Sequence, residues 1–269
     1  MSLEAAEKAV RSGSPDEALT ALQEAVRAKP GDGKLRVFLF QLLCVRGQWQ
    51  RALNQLNVCA EMDAGALAMR ECYRGPVECE ALRQEVFNGK RSPMLFGEPE
   101  PWLALLIESL IRGGMGDAEA SSALRASAFD AAPTTSGTID GQAFEWIADA
   151  DSRLGPVLEA VVNQRYYWVP FSRLSSVTFE PPADLRDFVW APVNLQFING
   201  GETPAMIPVR YPGSETSEDG LIALARKTEW RELGGEGQFA GLGQRVLATD
   251  AGEYPLLQCK ELKLGPAPE

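Results

Sequence analysis

The chain has 269 residues, of which 45% are hydrophobic and 23% are charged, and its net charge is −11. These values are typical of a globular protein large enough for one or two domains, and they argue against wholesale disorder. The acidic balance disfavours nucleic acid and anionic membrane as main partners, because both are bound through basic surfaces.

Histidine is absent from the chain. Its absence removes Ser-His-Asp and Cys-His catalysis and His-ligated zinc, so an enzyme here would rely on carboxylates, Lys, Tyr or Cys. The first ten residues lack an apolar segment and no apolar run is long enough to span a membrane, so we expect a cytoplasmic protein. No Cys-x-x-Cys motif occurs, and free thiols in a reducing compartment are predicted for Cys44, Cys59, Cys72, Cys79 and Cys259.

The first half of the chain contains a repeat. Ser14 and Pro15 form the start signal of a helix that stops near Pro30. The pattern of this segment returns 34 residues later, in the pairs Gly13 and Gly47, Ala18 and Ala52, Leu22 and Leu56, and Ala25 and Cys59. This period predicts tetratricopeptide-like helical hairpins, in which small residues allow close helix packing. Such hairpins expose a concave face to peptides, although they could also serve only as packing support for a second domain.

Two further helix pairs are predicted in the first half. The third pair covers residues 67–74 and 76–88, and the fourth runs from Trp102 into a helix that contains Ala118. The proline-rich segment 93–101 between them predicts an extended connection. The largest shift in composition falls at residues 131–141, so we place a domain boundary there, with a helical domain over 1–133 and a second domain over 134–269.

The second half is predicted to be rich in strands, with a mainly antiparallel sheet, so the expected fold class is α+β. Pro156–Asn163 is the exception, because four apolar residues at helical spacing favour a short helix. A helical turn capped by Asp184 and a helix over 219–227 are also expected, and residues 265–269 are expected to fray. The predicted strands are 142–148, 166–171 and 174–179 (the last two paired), 189–197, 205–209, 245–249 and 256–262.

Asp149, Asp151 and Arg153 are the residues most suggestive of chemistry. Paired carboxylates suit a divalent metal, and together with Arg153 they could serve a metal-dependent enzyme. The simpler interpretation is structural: Asp151 caps the following helix, and Arg153 bridges back to a carboxylate. Neither a nucleophile elbow nor a phosphate-binding loop occurs in the sequence, so no cofactor is predicted.

Aromatic residues are concentrated in the second half, and most of them must form its core. Tyr166 and Trp168 should share one strand face and Tyr167 the other, so at least one of the three should reach the surface. The residues predicted to contact a partner are Trp102, Tyr166, Tyr167, Trp168 and Phe171.

Several long segments resemble the ImpE/TagJ family, also described as SciE-type proteins. They are LRQEVFNGKRSPMLFGEPEPWLALLIESL (82–110), FEWIADADSRLGPVLEAVVNQRYYWVPF (144–171), DLRDFVW (184–190), RYPGSE (210–215), LARKTEW (224–230) and GLGQR (241–245). The resemblance covers nearly the whole chain and is weaker over the first 60 residues. It implies a tetratricopeptide-like region joined to an α+β domain, in agreement with the residue patterns.

The same resemblance implies a non-enzymatic cytoplasmic adaptor of bacterial type VI secretion. Its implied partners are the N-terminal helix of the small contractile-sheath subunit and a ClpV-type AAA+ ATPase that recycles sheaths. The family supplies no catalytic residues, and its peptide groove cannot be transferred to positions in this chain. A metal-dependent enzyme using Asp149, Asp151 and Arg153 remains the alternative, and a scaffold that only holds the ATPase near the sheath is a third hypothesis.

Overall fold

The computed structural model describes residues 3–265, so most of the tail predicted to fray, residues 266–269, lies outside the described chain. Helices fill its first half: α1 Leu3–Arg11, α2 Pro15–Ala28, α3 Gly33–Val45, α4 Trp49–Met62, α5 Leu67–Phe87, α6 Pro101–Gly114 and α7 Ala118–Ala131. α1 packs on α2 and α3 packs on α4, as the 34-residue period predicts.

The repeated residues occupy equivalent places in these two hairpins. Ala18 and Ala52 are completely buried, and so are Leu22 and Leu56. Gly13 and Gly47, which follow the first helix of each hairpin, have φ angles of +83° and +61°. Only glycine adopts such angles without strain, which explains why it recurs in the repeat.

The third predicted helix pair is wrong, because residues 67–87 form one continuous helix, α5, with Pro76 inside it. Proline disturbs the hydrogen bonds of the helix around it. A side chain from the second half bonds the backbone at this place: Gln164 Oε1 accepts from Gly75 N (2.6 Å), and Gln164 Nε2 donates to Glu71 O (2.8 Å). Gln164 lies in the tight turn between two strands, so this turn is docked directly onto α5.

Up to residue 265, the second half contains most of the strands and one short α-helix, α8 Gly220–Ala223. Within residues 3–265, the largest sheet has nine strands in the order β1-β6-β5-β9-β8-β7-β14-β2-β3, and all its pairs are antiparallel except β1 with β6. Smaller sheets join β10 to β11, and β13 to β12 and β4. The strands are β1 Met94–Leu95, β2 Gly137–Ile139, β3 Gln142–Phe144, β4 Ile147–Asp149, β5 Val157–Val162, β6 Arg165–Pro170, β7 Leu174–Phe179, β8 Trp190–Phe197, β9 Glu202–Pro208, β10 Thr228–Glu232, β11 Phe239–Gly243, β12 Val246–Thr249, β13 Gly252–Pro255 and β14 Glu261–Leu264.

The helix predicted over 156–163 is wrong, since Val157–Val162 is a strand. All six of its residues are buried, and a strand covered on both faces has the same continuous apolar character as a buried helix. The segments 166–171 and 174–179 contain strands, but these pair with β5 and β8 and not with each other. The segment 142–148 divides into β3 and β4, and 256–262 begins with a 3-10 turn before β14.

The helices and the large sheet share their apolar cores. Trp190 and Leu224 of the second half are buried in the core of α1–α4, where the Trp190 ring lies 5.9 Å from that of Trp49. Trp168 of β6 is buried with Val86 of α5 in a second core. The boundary predicted at residue 133 falls between α7 and β2, and the division into two domains stays a prediction.

The contact between Gly75 and Gln164 generates a stability prediction. A Cβ atom added at Gly75 would lie 2.6 Å from the backbone Cα of Gln164, so the turn would have to move. We expect Gly75→Ala to lower the free energy of unfolding by about 1 to 3 kcal/mol, the usual effect of overpacking. Chemical denaturation measures this change.

Gly33→Ala is the matched control. Gly33 is the first residue of α3, and a Cβ there would have no atom within 4 Å. Alanine should leave the stability unchanged or raise it slightly. Equal effects of the two substitutions would contradict the proposed docking of the Gln164 turn on α5.

Candidate partner-binding groove

A groove of about 1250 Å³ lies between the two helical hairpins and one segment of the second half. Its walls come from α1, α3, the end of α4 and the 3-10 turn Leu185–Phe188. The larger apolar side chains in its lining are Leu3, Val10, Val37, Phe38, Met62, Leu185 and Phe188. Charged side chains of both signs also line it, namely Glu7, Arg11, Asp32, Lys34, Asp63, Asp184 and Arg226.

The 3-10 turn that forms one wall is held by its own side chains. The Asp184 carboxylate accepts a hydrogen bond from Arg186 N (2.9 Å), and the Asp187 carboxylate accepts from Ala183 N (2.7 Å) and Asp184 N (3.1 Å). The Arg186 guanidinium lies 4.6 Å from the centre of the Tyr73 ring. The predicted turn capped by Asp184 is therefore confirmed, and it is fixed against α5.

Two arginines of the second half hold the helices that form the other wall. Arg226 Nη1 donates to Val10 O (2.9 Å) and Arg11 O (3.1 Å) at the end of α1. Arg210 donates to Val45 O (2.6 Å) and Cys44 O (3.2 Å) at the end of α3. The last carbonyls of a helix lack partners within it and carry partial negative charge, so a cation is favoured there. The positions of α1 and α3 are thus set from the strand half.

A buried ionic network connects α5 to the sheet. Glu159, on β5, accepts hydrogen bonds from Arg83 Nε (2.7 Å) and Tyr166 Oη (2.6 Å), and it also pairs with Arg245. Arg245 pairs in turn with Asp149. All five residues are 4% exposed or less, so each charge depends on its partners for stabilisation.

The sequence is related to known proteins over 97% of its length. Residues 141–263 match the model of the ImpE protein family, and residues 9–68 match a tetratricopeptide repeat. Over 261 residues the chain is 49% identical to the type VI secretion system accessory component TagJ of Pseudomonas aeruginosa. The aligned region covers 97% of this chain and 91% of the relative. The chain belongs to the ImpE/TagJ family.

A solved structure supports the fold. The crystal structure of protein VPA1032 from Vibrio parahaemolyticus superposes with a TM-score of 0.89, covering 97% of this chain and 98% of the other. At 24% identity, this match supports the fold and nothing further. Among residues 3–265 no helix combines the length and apolar character needed to cross a membrane. Tetratricopeptide-like helices followed by a mainly antiparallel sheet are confirmed as the architecture of this ImpE/TagJ chain.

The segments that resemble the ImpE/TagJ family coincide with the structural features above. DLRDFVW forms the 3-10 turn of the groove, RYPGSE and LARKTEW supply Arg210 and Arg226, and GLGQR supplies Arg245. Neither Glu159 nor any of these three arginines was predicted from the sequence to be a functional or structural residue. A single Glu inside the apolar run VLEAVV was the available signal, because a buried carboxylate requires a cation nearby.

Asp149 is the last residue of β4, Asp151 lies two residues beyond it, and both are buried. Besides its pairing with Arg245, Asp149 accepts hydrogen bonds from Tyr211 Oη (2.9 Å) and Asp151 N (2.9 Å). The carboxylates therefore belong to an internal polar network.

Arg153 bridges back to Asp151, as the structural interpretation predicted. Asp151 accepts from Arg153 Nε (2.9 Å) and from Gly241 N (2.9 Å). Its predicted role as a helix cap is wrong, since β5 follows in place of a helix. In the described part of the chain, no group of three or more Cys, Asp or Glu side chains is arranged to hold a metal ion. The geometry favours a structural role for these residues.

Four of the five aromatic residues predicted to contact a partner lie in the interior. Trp102, Tyr166, Trp168 and Phe171 are at most 3% exposed. Trp168 Nε1 donates to Tyr166 Oη (2.7 Å), and both side chains pack against α5 and α6. Their hydrogen-bonding capacity and apolar area are used inside the protein, and their contact with a partner stays a prediction.

Tyr167 lies on the opposite face of β6, as the strand alternation predicted. It is half-buried, with its ring 5.4 Å from that of Phe96. Of the Tyr-Tyr-Trp cluster it alone reaches the surface, and its contact with a partner stays a prediction.

The Glu159 network generates a prediction about pH. Burial opposes ionisation, but the guanidinium groups of Arg83 and Arg245 hold the pKa of Glu159 at about 2, below its ordinary value of 4.5. A carboxyl group whose pKa is lower in the folded state stabilises the fold above its unfolded pKa. That stabilisation, up to about 3 kcal/mol, should be lost as the pH falls from 4.5 towards 2.

Two measurements check this expectation. The Glu159 carboxyl carbon, followed by NMR in the folded protein, should titrate near pH 2. The difference in unfolding free energy between wild type and Glu159→Gln should shrink across the same interval. A titration at or above pH 4.5, or a difference that does not change with pH, would show that the two arginines do not stabilise the carboxylate.

Proposed function

We propose that this protein is a cytoplasmic, non-enzymatic adaptor of a type VI secretion system. In this proposal the groove binds the amphipathic N-terminal helix of the small contractile-sheath subunit, and a ClpV-type AAA+ ATPase acts with the adaptor in sheath recycling. The 49% identity to a type VI secretion accessory component supports a role in type VI secretion. The groove beside the tetratricopeptide-like hairpins is the observation that supports peptide binding.

The size of the groove supports a peptide over a small molecule. Sites for small molecules occupy about 300 to 1,000 Å³, and this groove has a volume of about 1250 Å³. A helix with its side chains is about 10 to 12 Å across and binds such a groove through one apolar face. Val37 and Phe38 of α3, together with Leu185 and Phe188 of the 3-10 turn, offer apolar side chains from both walls.

The charges of the groove support an amphipathic occupant. Glu7 and Arg11 lie one helical turn apart on α1, and Lys34 is exposed at the start of α3. Asp63 lies at the end of α4. A helix with an apolar stripe and charged flanks of both signs can match this arrangement, and charge matching then determines its orientation and register.

Val37→Asp tests the groove directly. Val37 is half-buried in the groove wall, so a carboxylate there would have to be desolvated when an apolar helix face docks. We expect the affinity for the synthetic N-terminal peptide of the sheath subunit to fall roughly tenfold or more. Isothermal titration calorimetry measures the affinity of each variant.

Val58→Asp is the control for this experiment. Val58 is also half-buried, lies on the neighbouring helix α4 and is not part of the groove lining. The Val58→Asp variant should therefore bind the peptide with the affinity of wild type. Absence of heat at tens of micromolar peptide would refute the sheath-peptide proposal, and equal affinities of the two variants would place the peptide elsewhere on the protein.

The ATPase requires a separate experiment, because peptide binding alone does not involve it. Co-purification with a ClpV-type ATPase should be retained in Val37→Asp if the ATPase uses another surface. Loss of both partners in this variant would indicate a shared groove. Retention of the ATPase in a protein that never binds the sheath peptide would favour the scaffold hypothesis.

A further inference from the structure

A second cavity, of about 460 Å³, lies at the junction of α5, α6, α7 and β10. Its charged lining residues are all cationic, namely Lys90, Arg125, Arg153 and Arg231, and among the described residues that line it none is Asp or Glu. It shares no lining residue with the groove. Four cations around one cavity are unexpected in a chain with a net charge of −11, since like charges repel one another.

Arg125 is the central residue of this cavity. Its side chain is 3% exposed, and its guanidinium donates to Gln238 Oε1 and to Ser121 Oγ (3.0 Å). Its Nε atom, also buried, has no hydrogen-bond partner among residues 3–265. Both partners of Arg125 are neutral, so no contacting carboxylate compensates its charge. Burial lowers the pKa of Arg125, and Arg153 adds to this effect while Asp151 opposes it.

Asp151, the carboxylate that acts on Arg125, is already hydrogen-bonded to other groups. Asp151 accepts from Arg153 and from Gly241 N, as described above. Arg153 is paired with Asp151, and its guanidinium lies 4.9 Å from the centre of the Phe87 ring at the wall of the cavity. Lys90 and Arg231 are exposed at the rim. The cavity therefore combines an incompletely bonded, buried cation with a cationic entrance.

We propose that this cavity binds the phosphate group of a small phosphomonoester or of free phosphate. Guanidinium groups bind phosphate oxygens through paired, charge-assisted hydrogen bonds, which would give the Arg125 Nε–H a partner. The volume exceeds that of one phosphate ion, and Phe87 and Leu233 offer an apolar wall to an organic group.

The experiment titrates the full-length protein by calorimetry at constant ionic strength, with inorganic phosphate and separately with adenosine monophosphate. Saturable binding of one or both is expected. Arg125→Gln should abolish it, and Arg231→Gln should weaken it roughly tenfold, the effect of losing one charge-assisted interaction. Arg74→Gln removes the same charge from an exposed position on α5 outside the cavity lining, so it should bind as wild type does.

The outcomes separate the sources of the phosphate group. Tighter binding of the nucleotide supports a phosphomonoester, and equal binding supports free phosphate. If Arg125→Gln fails to fold, the exposed Arg231→Gln variant decides. The proposal is overturned if neither probe saturates below about 10 mM, an affinity too weak for a built site, or if Arg231→Gln binds like wild type and Arg74→Gln.

Discussion

The rest of the structure depends on the burial of one carboxylate in the middle of an apolar strand. Glu159 is completely buried on β5, and an isolated charge in that position would cost several kcal/mol or more. Arg83 must therefore approach from α5 and Arg245 from the segment before β12. This requirement fixes how the helices sit on the sheet, because an apolar contact alone would tolerate sliding or rotation. Removal of either partner would leave the other charge buried and uncompensated, so the pairing constrains how the two halves dock.

The candidate groove follows from this docking. One of its walls belongs to the helical hairpins and the other is the 3-10 turn Leu185–Phe188, so its width is determined by the relative placement of the two halves. Arg210 and Arg226 then secure the ends of α3 and α1 to the same half that carries the turn. A groove built in this way is preorganised, and preorganisation lowers the entropic cost of binding a helix.

The elements that could be predicted from the sequence are those with a local signal. The period of 34 residues and the start signal at Ser14 identify the hairpins, and the alternation of β6 places Tyr167 opposite its neighbours. β5 was misassigned because apolar residues on both faces remove the period that distinguishes a strand from a helix. α5 was divided at Pro76 because nothing local indicates that Gln164, 89 residues away from Gly75, bonds the helix there.

The groove could not be predicted for the same reason, since its two walls are more than 100 residues apart in the chain. Buried aromatic residues were included in the predicted partner contact because residue type alone does not reveal burial. Glu159 shows what the sequence can reveal about long-range contacts. An isolated charge in an apolar run implies an oppositely charged partner in the fold, but it does not identify that partner.

The hydrogen bonds that Arg226 donates to the end of α1 have a consequence for synthesis of the protein on the ribosome. Arg226 is separated from Arg11 by 215 residues. At about 5 to 20 residues per second, translation needs roughly 10 to 40 seconds to add that length of chain. During this interval the carbonyls at the end of α1 have no bond to Arg226. The core of α1–α4 is also incomplete, because Trp190 and Leu224 have not yet been synthesised. The hairpins emerge first, yet their final packing must wait until Trp190, Leu224 and Arg226 have been synthesised.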